Sequence, residues 1–121
     1  MKAILIDVKN ETVTDVIYDG TKTLQEWYRL IGCGLVEVAM ELPNDDHTGN
    51  TIMVDEEGMF NRHAQPKMFT IVGAPQFYYG NGLIVGINYD DGETIDCSIT
   101  ANDIRRKINF FKMNQVLPLV K

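Results

Sequence analysis

Leu83-Ile84-Val85-Gly86-Ile87-Asn88-Tyr89-Asp90-Asp91-Gly92-Glu93-Thr94-Ile95-Asp96 is the stretch that decides the fold. From Leu83 to Ile87 no side chain is polar, so neither face of a strand here faces water, and 83–88 reads as a central strand. Asp91-Gly92 is a two-residue hairpin signal that returns the chain as a partner strand over 93–96. A chain organised around such a unit is mostly sheet.

Just upstream, Phe77-Tyr78-Tyr79-Gly80-Asn81-Gly82 sets three rings beside a glycine turn. Three consecutive rings on a strand cannot all face inward, and an outward ring offers a base a stacking surface worth about 1–3 kcal/mol. Gly80, Gly82 and Gly86 lack the dinucleotide-fingerprint spacing and precede a strand instead of opening a helix; they read as turn and close-approach glycines. Downstream, Thr100 is a helix N-cap with Asp103 three residues on, and Ile104, Ile108 and Phe111 form a buried stripe of a last helix over 101–113 that Pro118 limits. Arg105-Arg106-Lys107 places cations early in that helix, against the dipole preference for acids. Such a cluster is either a solvated face or a fork for phosphate.

The rest of the chain extends the sheet. Residues 3–8 and 12–18 read as a hairpin, and a helix begins at Thr23, where Thr23 and Glu26 match a capping box and Leu24, Trp27, Tyr28 and Ile31 are helically spaced. Gly32 or Gly34 ends it. In 35–42, Val36, Val38, Met40 and Leu42 alternate with Glu37 and Glu41, a half-buried antiparallel strand ended by Pro43. Residues 44–50 read as a polar loop, 51–55 as a strand turned by Glu56-Glu57-Gly58, and 68–73 as a strand leaving at Ala74-Pro75. The expected architecture is a small single α+β domain over 1–121, a curved antiparallel sheet with one early and one C-terminal helix.

The totals bound the function. At 121 residues the chain can bury a full core, and 45% hydrophobic with 23% charged residues is ordinary for a globular protein. No apolar run approaches the roughly 20 residues of a membrane helix, and Asp7 interrupts the apolar start too early for a signal peptide. Cys33 and Cys97 form no metal or redox spacing and read as reduced thiols of an intracellular protein. A net charge of −6 disfavours a grip on long nucleic acid. The acids Asp45-Asp46, Asp55-Glu56-Glu57 and Asp90-Asp91 each adjoin Gly or Asn, which fits turns better than an array mimicking DNA. His47 and His63 have no metal-holding partner in sequence, and no nucleophile or phosphate-loop motif is present.

The order of Met1–Asp7, the helix Leu24–Gly32, Leu35–Val38, Ile52–Gly58, Tyr79–Gly86 and Ser98–Thr100 before the cationic turn resembles the first type of phage Thoeris anti-defence sponge. It also resembles related small phage domains of unknown function. The resemblance covers nearly the whole chain, and Val54–Gly58 and Gly80–Gly82 mark the broader group. It implies a small acidic homodimer or higher homo-oligomer that sequesters a glycocyclic ADP-ribose signal from TIR-domain proteins without degrading it. Some members of that family also hold cyclic oligonucleotides. On that resemblance Phe77 or Tyr78 stacks on adenine, Asn88 and Ser98 are polar contacts, Arg105 or Arg106 meets phosphate, and Arg29 is a further candidate. The expected protein is non-catalytic, uses no cofactor and acts in the host cytoplasm. Rival readings are a nucleotide hydrolase and an acidic inhibitor of a host protein.

Overall fold

The computed structural model describes residues 1–74 and 76–113; the expectations placed on Pro75 and Pro118 lie outside them. The central strand is where its composition puts it. This strand, β7 (Gly82–Asn88), is flanked by β1 (Lys2–Asp7) and β4 (Thr48–Asp55), which carry β2 (Thr12–Ile17) and β3 (Val36–Pro43) as edges. The short β8 (Thr94–Ile95) also pairs with β7, and every pairing is antiparallel.

Because β7 is apolar on both faces, both must be covered. On one face α1 (Thr23–Ile31) lays Trp27 and Ile31 on Ala3, Met53, Leu83 and Val85. On the other, Ile4, Ile6, Ile52, Val54 and Ile84 meet a second, three-stranded sheet. It consists of β5 (Lys67–Ile71), β6 (Tyr78–Tyr79) and β9 (Ile108–Lys112), and contributes Phe69, Ile71, Tyr78 and Ile108. Leu83, Ile84 and Val85 are 0% exposed, and each fully buried side chain contributes about 1.5–3 kcal/mol.

The α+β class and both helical segments match the sequence reading, while details of the sheets, strands and helix ends differ. The sheet is two packed sheets, not one curved one. The last helix is a single turn, α2 (Ala101–Ile104), running through a 3-10 turn Arg105–Lys107 into β9. Ile108, Phe110 and Phe111 are β-branched or aromatic, and pairing with β5 selects period two over the helical period the stripe also fitted. Ile108 does reach the core, but Phe111 does not share its face.

The capping box expected at Thr23 does not form. A 3-10 turn, Gly20–Lys22, capped by Asp19, starts the helical segment earlier; Thr23 Oγ1 donates to the Gly20 carbonyl and Glu26 Oε1 accepts the Asp19 amide at 3.2 Å. Gly32, at φ 81°, ends α1. In β3 a bulge between Val38 and Met40 splits the expected stripe: Val38 pairs with Met53 on the α1 side, whereas Met40 pairs with Ile52 on the other. Residues 48–50, read as loop, begin β4, where Asn50 is buried by two bonds to Ser98.

The α2 turn closes one sheet edge. Arg105 Nη2 donates to the Val13 carbonyl of β2 at 2.8 Å, and the Ala101 amide donates to Asp15 Oδ1 at 2.8 Å. Asp103 Oδ2 accepts the Thr100 amide and hydroxyl, and those bonds hold its carboxyl below the usual range. A folded pKa below the unfolded one gives stability that is complete above the ordinary carboxylate pKa and is lost as pH falls through the folded value. Urea melts should therefore show the deficit of Asp103→Asn relative to wild type shrinking as pH is lowered.

At Gly86, an alanine β-carbon would lie 2.6 Å from the Ile95 carbonyl oxygen and closer still to that of Asp96. Both are backbone atoms of the paired segment, so they cannot swing aside. Gly86→Ala should lower unfolding stability by about 1–3 kcal/mol in urea titration.

Candidate functional site

The end of the larger sheet where β1 and β4 leave and β7 enters is hollow. A cavity of about 480 Å³ opens there, walled by Asp7 and Lys9 from the β1 exit, Asp55 from the end of β4, and Tyr79 and Asn81 from the β6–β7 turn. That volume lies within the roughly 300–1,000 Å³ of small-molecule sites. Among the described residues, Tyr79 is the one aromatic residue lining it.

Short-range chemistry shapes the walls. Asn81 Oδ1 accepts the Val8 amide at 3.0 Å and its Nδ2 donates to the Leu30 carbonyl at 3.4 Å, so one side chain ties β1, α1 and the start of β7. Gly80 (φ 85°) and Gly32 (φ 81°) both line the cavity in the left-handed region, and nothing lies within 4 Å of the place a β-carbon would take at either. Bare backbone thus meets open space on two sides.

The polar groups divide into those already used and those free. Asp7 accepts the Asn10 amide at 3.1 Å and the Asn10 side chain at 2.8 Å. Asp55 Oδ1 accepts the Glu57 amide at 2.8 Å, whereas its Oδ2 makes no hydrogen bond among the described residues. Lys67 Nζ donates to the Lys9 carbonyl at 2.9 Å, which sets that ammonium beside a residue lining the cavity. Burial first, and the charges of Asp55 and Glu57 second, raise the Cys33 thiol beside this region, so it stays protonated and a poor nucleophile at neutral pH. Burial likewise raises Cys97, and both cysteines are free thiols. Among the described residues no group of three or more His, Cys, Asp or Glu can hold a metal ion.

The seven residues singled out from sequence do not converge in one chain. Tyr78 is 5% exposed, with its ring 5.4 Å from Phe69 and its hydroxyl donating to the Ala39 carbonyl at 3.4 Å, so it is a core residue with no free face for a base. Phe77 is half-buried and packs edge-on against Phe111. Asn88 Oδ1 accepts the Asp90 amide at 3.0 Å, shaping the β7–β8 turn. Ser98 Oγ accepts from Asn44 and Asn50, and Ser98 lines a separate cavity of about 490 Å³ beside Lys2 and Asp15.

The cations are mostly engaged elsewhere. Arg29 Nε pairs with Glu26 at 2.6 Å on the surface of α1. Arg105 is anchored to Val13 and Asn102. Arg106 is exposed. The cationic turn precedes β9 and the Phe77–Phe111 ring pair sits toward its far end, four residues from Lys107 to Phe111 or about 13 Å at strand rise. Residues that do converge, Asp7, Lys9, Asp55, Tyr79 and Asn81, were absent from the sequence-based set. Strand alternation carries the signal for one of them: with Tyr78 inward, Tyr79 belongs to the opposite face.

A family model described as a domain of unknown function, DUF3846, matches residues 1–109, and the chain belongs to that family. No curated protein and no solved structure matches it. No helix among the described residues is long and apolar enough to cross a membrane.

The two neighbouring arginines separate structural from surface roles. Arg105→Ala should cost about 1.5–3 kcal/mol of unfolding stability, because it removes a charge-assisted bond to the edge strand. Arg106→Ala should leave the urea midpoint unchanged within about 0.5 kcal/mol, as surface substitutions do.

Proposed function

We propose that this DUF3846 member is a phage- or prophage-encoded anti-defence protein. It captures a cyclic ADP-ribose signal of TIR-domain immune proteins in the host cytoplasm and holds it without cleavage. The observation that carries this reading is the cavity at the sheet end, where a tyrosine, free polar groups and two stretches of bare glycine backbone meet in a space of about 480 Å³. The Val54–Gly58 and Gly80–Gly82 segments, which mark the broader group of small phage domains, both contribute to that cavity, through Asp55, Gly58, Gly80 and Asn81.

Capture needs affinity and a prepared shape, not turnover. Asn81 holds three elements around the opening before any ligand arrives, which limits the ordering cost of binding. Tyr79 supplies the stacking surface, and Lys9 supplies a cation for phosphate. Nanomolar affinity, about −12 kcal/mol, is what a scarce signal demands. Self-association belongs to the same reading: exposed Arg106 has no hydrogen bond or ion pair among the described residues and can serve a neighbouring copy. Cyclic oligonucleotides are a second ligand class to try.

One observation favours a rival. The Tyr89 amide donates to the His47 carbonyl at 2.9 Å and His47 Nδ1 lies 3.2 Å from Asp90 Oδ1, which brings Asp45-Asp46 and Asp90-Asp91 together at the end of the sheet opposite the cavity. Such an acidic tip suits a basic protein partner. Reversing those four charges should then abolish function while leaving nucleotide binding intact.

Calorimetry with the purified product of an activated TIR enzyme should give a nanomolar dissociation constant, and Tyr79→Ala should weaken it by about 1–3 kcal/mol. Mass spectrometry of the ligand released on denaturation should return the cyclic molecule. Recovery of linear ADP-ribose would assign a hydrolase instead, and an absence of heat at micromolar protein would remove the nucleotide reading.

A further inference from the structure

Resting on that nucleotide reading, we infer that the cavity recognises its ligand through sugar hydroxyls, with Asp55 as the acceptor, and leaves the phosphates at the mouth beside Lys9 and Lys67. The lining itself points this way. Two carboxylates, Asp7 and Asp55, face the cavity against one lysine, so a diphosphate seated deep within it would lie against like charge. A neutral, hydroxyl-rich group meets no such penalty.

Asp55 has the geometry for the task. Its Oδ1 is fixed by the Glu57 amide, which orients the carboxylate, while Oδ2 is uncommitted among the described residues. The side chain is only partly exposed and ends a strand whose preceding residues are buried, so its position is set by the sheet. A fixed carboxylate accepts hydroxyl hydrogens in charge-assisted bonds, about twice as strong as neutral ones. Cationic side chains gather at one rim: Lys9 lines the cavity just after β1, and Lys67 Nζ, reaching across from β5, donates to the Lys9 carbonyl.

Asp55→Asn is the decisive variant because the asparagine oxygen can keep the Glu57 bond, so the fold is retained; circular dichroism and a urea melt check this. Its sign separates the two modes of recognition. If Asp55 accepts sugar hydroxyls, Asp55→Asn weakens cyclic ADP-ribose by roughly tenfold or more. If phosphate lies against it, removing the negative charge tightens binding.

Isothermal titration would use cyclic ADP-ribose, adenosine and inorganic pyrophosphate as probes. We expect adenosine to bind, more weakly than the cyclic nucleotide, and pyrophosphate to give no heat. Tighter or unchanged binding of cyclic ADP-ribose by Asp55→Asn, or capture of pyrophosphate abolished by Lys9→Ala, overturns the inference and leaves capture itself standing. Adenosine binding that depends on Asp55, without any binding of the cyclic nucleotide, supports the inference and defeats the sponge reading. Failure of wild-type protein to bind either nucleoside probe overturns both.

Discussion

Burial of β7 on both faces is the constraint on which the molecule depends. Leu83 and Val85 point to one side and Ile84 to the other, all fully removed from water, so neither the helix nor the second sheet alone can complete the core. A half-covered β7 would leave several large side chains in water, each worth about 1.5–3 kcal/mol, against a net domain stability of about 5–15 kcal/mol. The three-layer arrangement follows from that need.

The same constraint creates the cavity. Layers that must cover a strand along its length need not cover its end, and β7 enters through a glycine-containing turn with little bulk to fill the space. Asn81 braces the opening with two hydrogen bonds, and Gly32 and Gly80 withhold side chains from it. The hollow is thus bounded by ends of elements whose middles are rigid, a good foundation for binding.

Charge arranges the surface around this frame. The arginine cluster that looks like a phosphate fork in sequence is partly a structural clasp, because Arg105 satisfies a carbonyl on the β2 edge that would otherwise face solvent or another chain. Acids separated by over forty positions in sequence share the opposite tip. A net charge of −6 is therefore unevenly distributed, and the cavity end is a mixture of both signs.

What the sequence determined by itself was local: a hairpin after β7, the apolar run of β7, the glycine that ends α1, and the Thr100–Asp103 cap; the hairpin loop spans four residues, 89–92, where Asp91-Gly92 signals two. These rest on φ/ψ preference and periodicity, which act within a few residues. Much of the candidate site was not legible, since Asp7, Asp55 and Tyr79 lie far apart in the chain and no local pattern singles out their side chains. Only the tertiary structure decided that a bulge turns Met40 away from the face of Val38, that 108–112 pairs with β5 instead of continuing a helix, and that Tyr78 is the ring that goes inside. Each outcome depends on pairing and packing with distant segments, which periodicity within a few residues does not carry.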